Sequence, residues 1–130
     1  MIFGVGTDIA SVSRMAQALE RHGERFAERI LAEPERAAWE KAPRRDRFLA
    51  KRFAAKEAFS KAYGTGIRPP VTLHSIRVEH DQMGKPVLGY SAELARLMAE
   101  QGLVAHLSLS DEADYAVAFV VIETLPPGKP

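Results

Sequence analysis

The 130-residue chain has no cysteine, which excludes a disulfide framework and any thiolate metal site. It has no apolar run approaching the ~20 residues that cross a bilayer. Its first residues, Met1 to Asp8, lack a basic segment and reach an acid at once, so they do not read as a signal peptide. Internal repeats and low-complexity segments are absent as well. The expectation is one cytoplasmic domain over 1–130, with a tail over about 124–130 opened by Pro126 and Pro127. A chain of this length buries a core without covalent staples.

Net charge is almost absent too, at +1, but the average hides an asymmetry. Residues 41–61 carry eight basic side chains against two acids, and residues 100–130 carry five acids against one lysine. A basic block in mid-chain invites an anionic ligand. This one matches no nucleic-acid module, which argues against nucleic acid as the partner.

What is present is most informative between Arg52 and Gly66. Alanines and long unbranched side chains make this a strong helix former, and Gly64 and Gly66 mark its end. Phe53, Ala54, Ala58 and Ala62 form a stripe that faces a core, with side chains small enough for another backbone to come close. Glu57 and Lys61, four apart, share a face. Two readings stand for that pair. One is a solvated salt bridge, worth about 0.3–0.5 kcal/mol. The other is a carboxylate and an ammonium set to take a divalent cation and a phosphate together.

Upstream, Ile2 to Asp8 alternates as a strand, with Gly4, Gly6 and Asp8 on one face. The glycines leave room for something to approach. Asp8 ends the strand either as a ligand or as a turn former. Ser11 or Ser13 caps a helix running to about His22, which Gly23 stops. Arg14 and Arg21 share a face of it, and Arg25 joins them only if the helix continues past Gly23. Glu20, Glu24 and Glu28 are interleaved and could lace these arginines. Phe26, Ile30 and Leu31 form a short apolar patch. Pro34 opens a helix that ends near Lys41, with Trp39 as a core or interface anchor. Asp46 is the expected cap of the long helix.

Downstream, Ile76–His80 and Pro86–Tyr90 read as a hairpin through the turn at Asp81–Lys85. Ser91 caps a helix with Leu94, Leu97 and Met98 inward, closed by Gly102. On the strand Val104–Ser110, period two places His106, Ser108 and Ser110 on one face. That face is a polar cavity, an interface or a half-exposed surface. Tyr115–Ile122 is nearly all apolar and reads as covered on both faces, one cover coming from a neighbouring subunit.

Gly4 to Ile9, Arg52 to Ala62 with the Gly64-Thr65-Gly66 end, and His106 to Ser110 together resemble the 4′-phosphopantetheinyl transferases, and among them the bacterial holo-acyl-carrier-protein synthases. The resemblance runs from Met1 to about Glu123. It implies an α+β fold, a small antiparallel sheet packed by a long central helix. It implies transfer of 4′-phosphopantetheine from coenzyme A to a serine of apo acyl carrier protein, Mg²⁺-dependent, in fatty acid biosynthesis. Asp8 and Glu57 match the metal-binding acids, and Lys61 the lysine beside the pyrophosphate, so Glu57 and Lys61 are the catalytic candidates. The same resemblance puts Gly64 and Gly66 against the nucleotide, and sends Lys85 and Pro86 of a Gly-Lys-Pro turn to a neighbouring active site. It makes Arg45, Arg52, His106 and Ser108 partners of the 3′-phosphate or the pantetheine arm. Arg14, Arg21 and Arg25 would dock an acidic helix of the carrier, and the assembly would be a homotrimer with active sites between subunits. One position departs: Asp111 stands where many members carry histidine. Two other classes keep part of the pattern, a basic nucleotide-binding module without catalysis and a metal-dependent pyrophosphate hydrolase.

Overall fold

The computed structural model describes residues 1–126 of the chain. The alternating N-terminal segment is strand β1 (Ile2–Ser11). It runs past the expected end at Asp8 because β5 (Tyr115–Thr124) pairs with it antiparallel as far as Ser11 opposite Tyr115. β4 (Leu103–Asp111) lies on the other side of β5, which gives the order β1-β5-β4. A separate hairpin joins β2 (Ile76–His80) to β3 (Pro86–Tyr90). Asp81 shapes its turn, since its Oδ1 accepts hydrogen bonds from the Met83 and Lys85 amides, each at 2.9 Å. The expected α+β class, a small antiparallel sheet under a long helix, is the one observed.

The long helix is α4 (Arg45–Tyr63), and it crosses one face of the three-stranded sheet. Leu49, Ala50, Ala54, Ala58 and Phe59 are fully buried there, as are Ala116, Ala118, Val120 and Ile122 of β5. Two glycines set how close the helix comes. A Cβ on Gly4 would lie 1.9 Å from the Ala62 carbonyl oxygen, and one on Gly6 would lie 2.0 Å from that of Ala58. Only glycine permits this approach, and it carries the last two turns of α4 over β1 beside Asp8.

Within the one chain, β5 is covered by α4 on one side, and the other side is left open for the second cover that was expected from a neighbouring subunit. Tyr115, Val117 and Phe119 stay exposed on the other, beside Phe3, Val5 and Ile9 of β1. The run looks continuous in apolarity, but period two still sends half of its side chains away from α4.

The remaining helices follow their signals closely. Ser11 caps α1 (Val12–His22), its Oγ accepting from the Arg14 amide at 3.2 Å. Gly23 stops α1 with φ 64. The apolar patch after it is a helix, α2 (Glu24–Ile30). A 3-10 turn at Glu33–Glu35 containing Pro34 leads into α3 (Arg36–Lys41), which buries Trp39. Ser91 caps α5 (Ala92–Glu100). Asp46 is not the cap of α4. That position is Arg44, and Asp46 sits in the first turn, accepting from the Arg47 amide at 2.8 Å, where its charge still complements the helix dipole. The expected tail starts too early, since Thr124 closes β5 with its amide donating to the Met1 carbonyl at 2.8 Å. The rest of that expected tail, 127–130, lies outside the described residues. Among the described residues no helix is long and apolar enough to cross a membrane.

Candidate active site

Asp8 shares the face of β1 that carries Gly4 and Gly6, so its carboxylate meets the C-terminal half of α4. Lys61 Nζ donates to Asp8 Oδ1 at 3.1 Å and to the Thr7 carbonyl at 2.9 Å. The i, i+4 pair between Glu57 and Lys61 does not form, because the lysine reaches across to the strand instead. Glu57 makes no ion pair among the described residues. Burial pushes its carboxyl above the ordinary value, the Asp8 carboxylate pushes the same way, and Lys61 opposes them. Two carboxylates that repel each other, with one ammonium at their edge, are a donor set that a hard divalent cation completes. They fit Mg²⁺, which takes one or two protein carboxylates and fills its remaining positions with water and phosphate oxygens. Among the described residues no group of three or more acids and histidines could hold a metal alone, so a cation here would depend on ligand oxygens.

The N-terminal half of α4 builds a second feature. Lys41, Arg44, Arg47, Lys51 and Arg52 line a cavity of about 500 Å³ together with Phe48, His80 and Leu109, and no acid is among the lining residues. The volume suits a small-molecule ligand. Asp111 stands at the rim, 3.0 Å from Arg47 Nη1 and 3.8 Å from Lys51 Nζ. The His80 imidazole is pulled below its ordinary value by burial, then by Arg52 and Lys51, against Asp81, so it stays neutral at pH 7 and leaves the positive charge to the lysines and arginines. From Arg52 to Glu57 is five residues, about 8 Å along the helix axis at 1.5 Å per residue.

Between these two features, on the inner side of α4, lies a buried ionic cluster. Lys56 is fully buried, and its Nζ donates to Glu35 Oε1 at 2.6 Å, the Ile30 carbonyl at 2.6 Å and the Leu73 carbonyl at 2.9 Å. Glu35 also accepts from the Ala32 amide at 2.9 Å and the Val78 amide at 2.8 Å. Arg52 Nε lies 3.3 Å from Glu35 Oε2. Burial pulls both Lys56 and Arg52 below their ordinary values, and Glu35 opposes that shift for each. No sequence signal separates Lys56 from the solvated lysines around it.

The sequence pattern of the 4′-phosphopantetheinyl transferase superfamily matches residues 4–120. The chain belongs to that superfamily. It is 60% identical over 124 residues to the holo-[acyl-carrier-protein] synthase of Azoarcus sp., covering 95% of this chain and 99% of that one. The structure is similar to the crystal structure of the holo-[acyl-carrier-protein] synthase of Neisseria meningitidis, with a TM-score of 0.92 at 46% identity over 95% of this chain and 100% of that one. It is also similar to a holo-(acyl-carrier-protein) synthase of Bacillus anthracis in complex with CoA (3′,5′-ADP), with a TM-score of 0.81 at 41% identity over 96% and 99% of the two chains.

The other nucleotide-side residues expected from the transferase pattern fall in five places. Arg52 reaches the basic cavity, but Arg45 does not. One helical step turns Arg45 to the far side, where it donates to Glu24 Oε1 at 2.8 Å and lies over the Trp39 ring at 4.4 Å. Its neighbour Arg44 lines the cavity instead, with Lys41, Arg47 and Lys51. Reading the basic block by helical period rather than by count is the signal that could have found them. Gly64 and Gly66 have φ of 102 and 70, and both amides donate to the Ser60 carbonyl, at 3.0 and 3.2 Å, so they terminate α4 just past Lys61. Lys85 and Pro86 lie at the tip of the β2–β3 hairpin. His106 and Ser108 point from β4 to the open sheet face, where His106 Nε2 lies 2.7 Å from Glu123 Oε2, so one chain does not bring them to Asp8, Glu57 and Lys61.

Arg14, Arg21 and Arg25 are all exposed. Gly23 puts Arg25 on a separate helix from the other two, yet Arg21 and Arg25 line one depression with His22, Phe26 and Arg29. The interleaved acids do not lace these arginines. Glu24 instead accepts from Trp39 Nε1 at 3.0 Å and from Arg45.

Proposed function

We infer that this protein moves the 4′-phosphopantetheine group of coenzyme A onto a serine hydroxyl of apo acyl carrier protein, releasing adenosine 3′,5′-bisphosphate, in fatty acid biosynthesis. The observation that carries this reading is the meeting of Asp8, Glu57 and Lys61 at the C-terminal half of α4, on the helix whose N-terminal half builds the basic cavity, in a chain of the transferase superfamily. In this reading the nucleotide end rests among the arginines and the reacting phosphorus among the acids.

In the reaction the serine oxygen forms a new bond to the β-phosphorus. The bond from that phosphorus to the bridging oxygen breaks, and the bridging oxygen leaves on the adenosine bisphosphate. Catalysis is positioning plus neutralisation of charge on the phosphate oxygens. Asp8 and Glu57 would hold Mg²⁺, which when bound supplies positive charge to those oxygens. Lys61, steadied by Asp8 and the Thr7 carbonyl, directs its ammonium at the pyrophosphate. In this reading Glu57, beside the reacting phosphorus, takes the proton of the serine hydroxyl. Asp111 takes no proton in this scheme. It braces Arg47 and Lys51 at the rim.

The open apolar face of β1 and β5 supports assembly as a homotrimer, in which Lys85, Pro86, His106 and Ser108 reach the nucleotide of a neighbouring subunit. The Gly64–Gly66 turn lies where backbone can approach the same ligand. Arg14, Arg21 and Arg25 form the docking surface for an acidic helix of the carrier protein. The test is to incubate the protein with CoA, Mg²⁺ and apo carrier, then weigh the carrier by mass spectrometry. The expected result is a gain of one phosphopantetheine. Loss of CoA without that gain would make the protein a pyrophosphate hydrolase, and CoA binding without either change would make it a binding module.

A further inference from the structure

We propose that Glu35 is a positioning residue for the basic cavity: its buried carboxylate holds the Arg52 guanidinium in place for a phosphate that Glu35 itself never touches. Glu35 is 3% exposed, so no ligand reaches it. Donors from three elements fix its carboxylate, the Ala32 amide before the 3-10 turn, the Val78 amide on β2 and Lys56 on α4. Arg52 is clamped in turn. Its Nε is 3.3 Å from Glu35 Oε2, its guanidinium carbon lies 3.7 Å from the centre of the Phe48 ring, and Nη2 points to the Val78 carbonyl at 3.5 Å.

The cluster is short of one negative charge. One carboxylate faces two cations, and the two are not equally served. Lys56 has three acceptors at 2.6 to 2.9 Å. Arg52 Nε is buried without an aligned acceptor, and Nη1 makes no hydrogen bond among the described residues. The surplus charge therefore sits on the arginine, which is the member of the cluster that lines the cavity. An arriving phosphate supplies the missing anion, and it meets a guanidinium already oriented rather than one that must give up rotamer freedom to bind.

The proposal rests on the reading that this cavity holds the nucleotide end of CoA. Calorimetric titration of adenosine 3′,5′-bisphosphate into wild type, Glu35→Gln, Arg52→Gln, the double variant and Arg44→Gln separates the two. Coupled neighbours interact strongly, so Glu35→Gln should weaken binding by roughly 5-fold or more in wild type and by no further factor once Arg52 is glutamine. A purely structural glutamate would shift both backgrounds alike. Glu35→Gln strands the Lys56 ammonium without its counter-charge, so Glu35→Gln/Lys56→Met repeats the cycle without a stranded charge. Undiminished binding by both Arg44→Gln and Arg52→Gln would remove the nucleotide from this cavity, and the proposal with it. Weakened binding by those two alongside an unchanged Glu35→Gln would overturn only the role of Glu35. A wild-type measurement needs no variant to fold: the Arg52 Nε–H signal in NMR should be resolved and slow to exchange before any nucleotide is added. A rapidly exchanging signal would also overturn the proposal.

Discussion

Lys56 and Lys61 stand five residues apart on one helix, and the protein uses them in opposite ways. Lys56 is fully buried, with three acceptors and a carboxylate partner. Lys61 keeps about half of its side chain exposed and holds only Asp8 and one backbone carbonyl. Glu35 and Asp8, their acids, differ in the same manner. Glu35 takes donors from all sides, while Asp8 retains lone pairs and repels Glu57. A fully satisfied buried charge fixes a fold, and a partly satisfied one at the surface has capacity left for a ligand. Lys56 on the inner side of α4 is of the first kind, and Lys61 over β1 is of the second.

The largest expected effect lies on the β1 side. Glu57→Gln and Asp8→Asn preserve size and remove one anionic ligand each, so turnover at saturating Mg²⁺ should fall by at least ~10²-fold while the melting temperature barely moves. Near wild-type turnover in either variant would show that its acid is no metal ligand.

Exchanging the two lysines for methionine sharpens the contrast. Lys56→Met strands a buried carboxylate and should cost about 3–5 kcal/mol in urea unfolding, with turnover per folded molecule retained at saturating CoA, where weakened nucleotide binding no longer counts. Lys61→Met removes a half-exposed pair, worth at most about 1 kcal/mol, and should lose activity instead. If both variants were unstable and equally active, the two sides of the helix would not differ as described.

A smaller effect is titration of the acid pair. The Glu57 carboxyl is raised by burial, then by Asp8, so the unfolded chain releases that proton before the folded one does. Without metal, stability should decline as pH climbs from the ordinary carboxyl value of 4.5 through the raised value of Glu57, and level off above it. Mg²⁺ affinity should rise through the same window, since binding needs the carboxylate. Melting curves against pH in EDTA for wild type and Glu57→Gln measure the difference, and identical slopes would contradict the shift.

The smallest expected effect concerns charges away from both sides of α4. Arg14→Glu should raise KM for the carrier protein several-fold at low salt and leave KM for CoA unchanged. The defect should shrink with salt, as the screening length drops to about 3 Å at 1 M. Equal carrier KM values for wild type and variant would end the docking assignment. Arg25 belongs in the same series with Arg21, because both line one depression although they lie on different helices.

Strands, helices and most of their caps were legible from local pattern, since period, capping side chains and glycine stops act within a few residues of chain. Asp8, Glu57 and Lys61 were legible as candidates for the same reason: a strand end and one helix face. Their partners were not. The sequence offered Glu57 to Lys61 at four residues' distance, and the fold gave Lys61 to Asp8, 53 residues away in the chain. Arg44 and Arg45 are indistinguishable as letters, and a single helical step sends one to the cavity and the other to Trp39.

By itself, then, the sequence determined the elements, the glycines that let α4 lie against β1, and the acids and lysine that are candidates for the site. Only the tertiary structure decided which charges are buried and satisfied. Lys56 draws its acceptors from Ile30, Glu35 and Leu73, segments that meet only after the chain has folded. The physical reason is that hydrophobic period and capping are properties of neighbours in sequence, whereas desolvating a charge is compensated only by groups that arrive from elsewhere.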